Sequence, residues 1–224
     1  MKRILYSTFG ILALCNFTHA GPIGPSPYLS SADSPWSTLT FSQFYLEDFE
    51  DGLLNTPGVT QSGGQSVTPA GGVFTDSVDG DDGTIDGFGT NGRSHYTTDG
   101  ATGITYAFDP SVLGTLPTHA GIVWTDLSGV ADVFLEAFDA SNTSLGIINA
   151  GALNDGVSTG ETAEDRFLGW ENLGGISSIR IYQSGSDMEV DHLQYGIVVP
   201  EPGTLALAPL ALGLAAFLRR FRSV

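Results

Sequence analysis

The densest concentration of reactive side chains is acidic: Asp76-Ser77-Val78-Asp79-Gly80-Asp81-Asp82-Gly83-Thr84-Ile85-Asp86. Five carboxylates within eleven residues repel one another strongly when ordered without a counter-ion. Hard oxygen ligands on a glycine-rich turn are what calcium takes. Calcium is therefore the expected cofactor, with Asp76, Asp79, Asp81, Asp82 and Asp86 as candidate ligands. The spacing is not that of a helix-flanked calcium loop or of a nonapeptide calcium repeat. The competing reading is a solvated acidic loop. A second acidic group, Glu47-Asp48-Phe49-Glu50-Asp51, ends an early strand-like run.

Other constellations carry less. Gly87-Phe88-Gly89-Thr90-Asn91-Gly92 fits a dinucleotide-binding fingerprint by letter alone. It lacks strand and helix flanks, and the aspartates beside it would repel a pyrophosphate, so it reads as a turn. His95, His119 and His192 have no metalloprotease spacing, and no serine sits in a nucleophile elbow. Two facing carboxylates suffice for a glycosidase, but nothing in the sequence marks one acid as buried with a raised pKa. The expectation is a protein without a catalytic site.

The elements that must position these residues have a period of two. Ile104, Tyr106 and Phe108 alternate with Thr105 and Ala107, and Ile179 and Ile181 with Arg180 and Tyr182. Val133–Phe138, Leu145–Ile148, Phe44–Leu46, Ile122–Trp124 and Phe167–Trp170 add further short apolar runs. Gly, Asp, Ser and Asn clusters separate them, and no helical stripe intervenes. The reading is an all-β, jelly-roll-like β-sandwich of about eight to ten strands spanning 36–198. Residues 21–35, rich in Pro, Ser and Gly, read as a linker. Pro57–Gly72 reads as a surface excursion. Trp124 and Trp170 read as core, while Trp36, Tyr96, Tyr182 and Tyr195 are candidates for stacking on sugar rings.

The chain has 224 residues and a formal net charge of −17. Five of its eight basic residues are Lys2, Arg3, Arg219, Arg220 and Arg222, at the two ends. Between Gly21 and Val199 three arginines face 24 acids, a formal charge of −21. Such a surface repels phosphate backbones and anionic lipid, which excludes nucleic-acid binding as a main role. The lone Cys15 excludes a disulfide framework.

The ends read as addresses. Residues 1–20 combine a basic start, an apolar run from Ile4 to Phe17 and a small residue at Ala20, the parts of a signal peptide cleaved between Ala20 and Gly21. Residues 199–224 contain Pro200-Glu201-Pro202, an apolar stretch Leu205–Leu218 and the basic cluster Arg219, Arg220 and Arg222. The apolar stretch would be about 21 Å long as a helix, short of a ~30 Å hydrocarbon core. The arginines place the extreme C-terminus on the cytoplasmic side and the acidic segment outside.

This three-part tail resembles the PEP-CTERM sorting signal of exopolysaccharide-producing Gram-negative bacteria. The resemblance implies an exosortase as partner, cleavage near Pro200–Pro202, and a transmembrane helix that anchors the chain only transiently in the inner membrane. The destination is then the cell surface or the extracellular matrix. The segment 36–198 is similar to domains carried by other PEP-CTERM proteins, in Phe49-Glu50-Asp51-Gly52, Thr75–Asp79 with Asp81-Asp82-Gly83, Gly121–Asp126, Glu161–Phe167 and Glu189–Gly196. Its last strand looks like the end of galactose-binding-like and carbohydrate-binding sandwiches. In those, the first and last strands commonly hold a structural calcium, which makes Glu47 or Glu50 with Asp191 a second candidate metal set. The expected role is structural or adhesive in the envelope or exopolysaccharide matrix. The alternative is a calcium-stabilised carbohydrate-binding module, with extracellular polysaccharide as partner, and behind it a polysaccharide-active enzyme.

Overall fold

A computed structural model describes residues 20–199, apart from 73–74, 127–128, 154–155 and 186. The signal segment before Ala20 and the sorting residues Pro200, Glu201, Pro202, Arg219, Arg220 and Arg222 lie outside the described residues.

Among the described residues twelve strands form two sheets, and every pairing is antiparallel. The larger contains β1 (Ala20–Pro27), β2 (Phe41–Glu47), β4 (Ser66–Val67), β5 (His95–Thr97), β7 (His119–Asp126), β10 (Arg166–Asn172) and β12 (Met188–Val198). Its order is β1-β10-β7-β12-β5-β4, with β2 also paired to β12. The smaller contains β3 (Val59–Ser62), β6 (Ile104–Phe108), β8 (Asp132–Asp139), β9 (Ser144–Ala152) and β11 (Ile176–Gln183), in the order β3-β6-β11-β8-β9. One helical turn, α1 (Pro110–Leu113), is started by Pro110 and by Asp109, whose carboxylate accepts the N–H of Ser111.

The expected two-residue period is what closes the sandwich. Ile104, Tyr106, Phe108, Val133, Leu135, Ile179 and Ile181 project from the smaller sheet onto Ile122, Trp124, Leu168, Trp170, Val190, Leu193 and Tyr195 of the larger. Each fully buried side chain of this kind contributes about 1.5–3 kcal/mol. Trp124 and Trp170 are core, as read from sequence, and Trp36 is buried too.

The larger sheet differs in one respect: β7 is buried along its whole length. Its outward-facing Val123, with Phe167 of β10, is covered by Tyr28, Trp36 and Val78. The rings of Trp36 and Phe167 meet edge to face at 4.9 Å. Two chain segments therefore lie over this outer face, 28–41 and 75–80.

One reading is corrected and one refined. Residues 21–35 are not a linker: β1 pairs with β10 from Ala20↔Asn172 to Pro27↔Arg166, and Tyr28 is fully buried. β1 ends the order of its sheet, and an edge strand tolerates prolines that have no N–H to give a ladder. Residues 57–72 do lie mostly at the surface, but they carry two paired strands, β3 and β4, that the sequence did not show. Both are short edge strands that each offer the core a single valine, Val59 and Val67, too little for an apolar alternation to show.

Candidate functional site

The acidic region is built by β12 and the segment laid over it. Val190 and Leu193 face the core, so Glu189 and Asp191 face the covering segment. Glu189 Oε2 accepts the backbone N–H of Asp76 at 2.8 Å, and Asp191 Oδ2 accepts that of Val78 at 2.9 Å. Carboxylates two residues apart on the strand thus hold N–H groups two residues apart on residues 76–78. Gly89 completes the layer: its carbonyl accepts from the N–H and hydroxyl of Ser77, and a Cβ there would lie 1.9 Å from the Ser77 carbonyl oxygen. Close backbone approach, not phosphate binding, accounts for this glycine of the Gly87–Gly92 turn.

Eight acids are buried among the described residues: Glu47, Asp76, Asp79, Asp126, Glu164, Asp165, Glu189 and Asp191. No lysine or arginine is buried with them. Two trios have ligand atoms all within 4.8 Å of one another: Asp81, Asp191 and His192, and Asp76, Asp126 and Glu164.

The first trio is spent on hydrogen bonds. Asp191 Oδ1 accepts the N–H of His192 at 2.6 Å. His192 Nε2 lies 2.9 Å from both carboxylate oxygens of Asp81, and its Nδ1 lies 2.9 Å from the Tyr28 hydroxyl. The Gln194 amide donates to that hydroxyl, and the Ser34 hydroxyl donates to the Gln194 carbonyl. Read as donors to acceptors, Gln194 feeds Tyr28, Tyr28 feeds Nδ1, and the proton on Nε2 faces Asp81; this tautomer is assigned from the network. Burial, then the nearby Asp191 charge, raises the Tyr28 pKa and keeps its proton on. Burial likewise holds the Asp191 pKa well above the usual carboxylate range, with the neighbouring Asp81 charge acting in the same direction.

The second trio is different in kind. Asp76 is fully buried, and neither of its carboxylate oxygens has a hydrogen-bond partner. The same holds for Asp165 just behind it. Burial pushes the Asp76 pKa up to about 10, and the charges that act most strongly on it are the carboxylates of Asp126, Glu189, Glu164 and Glu161. Burial raises Glu189 to about 7, opposed by its bonds from Ser94 and Asp76.

The structure redistributes the predicted metal ligands. Asp79 accepts the N–H groups of Asp86 and Gly87 and the Thr162 hydroxyl. Asp82 accepts from the Thr84 N–H and the Asn91 amide, and Asp86 is exposed. The five aspartates of the acidic run therefore do not converge on one point. β2 does lie beside β12, with Glu47 opposite Leu193. Yet Glu47 accepts three backbone N–H groups of its own loop, and Glu50 accepts the Arg93 N–H. Neither is in a trio with Asp191. Sequence reasoning missed Asp126, Glu164 and His192. The only available signal was Asp126 and Glu164 falling within two of the matched segments, and the Asp191-His192 pair in the last strand.

An open groove of about 360 Å³ is lined by Ser31, Ser34, Trp36, Ser37, Leu39, Phe41 and Phe44. It contains no acid or histidine.

The class defined by these features is an antiparallel, two-sheet, sandwich-like fold with an acid-rich layer over one face. No family model matches the chain, and no curated protein matches it. Among solved structures it is similar to the C-terminal family 22 carbohydrate-binding module of Clostridium thermocellum Xyn10B. The two are 13% identical with a TM-score of 0.36, covering 72% of this chain and 96% of that one. A likeness that distant assigns no ligand.

Proposed function

We infer that this is an exported, exosortase-sorted protein of the bacterial envelope or exopolysaccharide matrix, whose β-sandwich is structural or adhesive and not catalytic. The observation that carries the reading is the three-part C-terminus: Pro200-Glu201-Pro202, the apolar run Leu205–Leu218, and Arg219, Arg220 and Arg222. The domain's chemistry supports it. Several of the buried carboxylates, those of Glu47, Glu189 and Asp191, hold backbone N–H groups of the fold itself. The test is the C-terminal mass of the protein from cells with and without the exosortase. Loss of residues beyond the Pro-Glu-Pro segment only in wild-type cells is expected. A chain ending at Val224 in wild-type cells overturns the reading.

A second reading, a carbohydrate-binding module, is favoured by one feature. On the outer face of the smaller sheet, Phe134 and Tyr182 stack at 5.1 Å with their planes 16° apart, and Arg180 lies 4.4 Å over the tyrosine ring. These rings are half-buried, and the exposed Ile147 extends the apolar surface.

A further inference from the structure

We propose that Asp76, Asp126 and Glu164 form a calcium site that locks the covering segment around Asp76 onto the end of the larger sheet. This site does not depend on how the protein is sorted.

The geometry is that of a ligand set. One oxygen from each of the three side chains lies within 4.8 Å of the others, inside the span that two oxygens can bridge through a single calcium ion at about 2.3–2.6 Å from each. The residues come from three separate parts of the chain: the covering segment, the end of β7 and the approach to β10. A shared ion would therefore join places that the backbone does not join locally. The Asp76 carboxylate is wholly removed from solvent, and both of its oxygens lack a hydrogen-bond partner. A buried carboxylate in that condition carries the full cost of desolvation, and removing a compensating charge from such a place is strongly destabilising. Glu189, which could have crowded the same space, is turned to other work, accepting from the Asp76 N–H and the Ser94 hydroxyl. Its grip on the Asp76 backbone fixes where the Asp76 side chain starts.

The donor chemistry selects the ion. Oxygen-only ligands suit a hard cation, and a set without sulfur or nitrogen is poor for zinc. Magnesium keeps several of its waters in near-ideal octahedral geometry, whereas calcium accepts irregular, largely protein-made shells. Residues buried to this degree leave little room for retained water: Asp126 is 3% exposed and Glu164 4%. Asp165, fully buried beside them, is likewise without a hydrogen-bond partner on its side-chain oxygens. The Asp81, Asp191 and His192 trio contrasts with the Asp76 carboxylate, since its groups already bond to one another.

The site is tested by calorimetric titration of calcium chloride into the chelator-treated wild-type protein, with magnesium chloride alongside. Three variants are compared: Asp76→Asn, Glu164→Gln and, at the hydrogen-bonded trio, Asp81→Asn. The expected result is calcium binding that weakens by tenfold or more in D76N and in E164Q and is unchanged in D81N, with magnesium weaker throughout. Hydrogen exchange reads the same event without a variant: calcium is expected to slow exchange around residues 75–78. Asn matches Asp in size and brings no charge into the buried position, so D76N is expected to fold and to melt no lower than wild type in chelator. Absence of binding heat together with unchanged exchange at millimolar calcium overturns the proposal. So does binding that is retained in D76N and E164Q, or lost in D81N alone.

Discussion

Glu47 offers a direct test, because its sequence and its structure assign it different work. As a calcium ligand it would matter only when the ion is present. In the structure it is 3% exposed and closes the loop that follows β2. Oε1 accepts the Phe49 N–H at 3.3 Å, while Oε2 accepts those of Asn55 at 2.8 Å and Thr56 at 3.0 Å. The loop is thus gripped at both ends. The first grip falls on Phe49, whose ring is fully buried and whose φ of 57° lies in the left-handed region that costs a bulky residue roughly 1–2 kcal/mol. In Glu47→Gln one oxygen can still take the Asn55 and Thr56 pair, but an amide NH2 then faces the Phe49 donor. One bond to a charged group is lost, worth about 1.5–3 kcal/mol, and the other two lose charge assistance. The expected loss is about 2–3 kcal/mol. For a domain of this size that is about 4–12 °C in melting temperature. Urea unfolding followed by tryptophan fluorescence measures it, once in millimolar calcium and once in chelator. The loss is expected to be the same in both. A loss seen only with calcium, or one under about 0.5 kcal/mol in both, refutes the clamp.

His95 predicts a pH effect. It is 3% exposed, burial lowers its pKa to about 4, and its Nδ1 lies 2.7 Å from the Tyr106 hydroxyl, which burial keeps protonated and donating. A folded-state pKa below the unfolded value of about 6.5 gives stability that is complete above that pH and lost as pH falls towards 4. Between pH 7 and 4.5 wild type is expected to lose about 2 kcal/mol more than His95→Gln in urea unfolding, and parallel pH profiles would exclude this. The Phe134–Tyr182 stack predicts retardation in native gels cast with a neutral soluble β-glucan or xyloglucan. Phe134→Ala should abolish it while the variant still melts cooperatively, with only the modest loss expected for a half-buried ring, and equal mobility of wild type and variant on every gel would remove the carbohydrate reading.

The strands that alternate apolar and polar residues were legible because each has one face in the core. Ile104–Phe108 and Val133–Phe138 are of this kind. The strands at sheet edges were not legible. β1 carries three prolines and β3 reads Val-Thr-Gln-Ser, compositions of a linker and a loop. An edge strand pairs on one side only, so its sequence need not carry the ladder's usual signature. The acidic site was half legible. The run Asp76–Asp86 was visible as charge, and Asp191 as an acid inside a final strand. Whether an acid meets a backbone N–H, a histidine or another acid depends on contacts more than a hundred residues apart, such as Asp76 with Glu189.

That dependence separates acidity from metal binding. A formal charge of −21 between Gly21 and Val199 suggests a surface crowded with carboxylates in search of a counter-ion. In the fold many of those charges are already occupied. Asp79 caps the turn at Asp86 and Gly87, Glu47 closes its loop, and Asp81 faces His192. Each uses its charge where a neutral acceptor would bind more weakly, since hydrogen bonds to an ionised group are roughly twice as strong. A carboxylate that holds three donors has little left to offer an ion, however acidic its neighbourhood. A metal is called for only where carboxylates converge after the available N–H groups have been used. Glu189 and Asp191 take the N–H groups of Asp76 and Val78, and that exhausts the donors of the covering segment at the point where the Asp76 side chain turns inward. The acid left over is then decided by the register of residues 76–78 on β12.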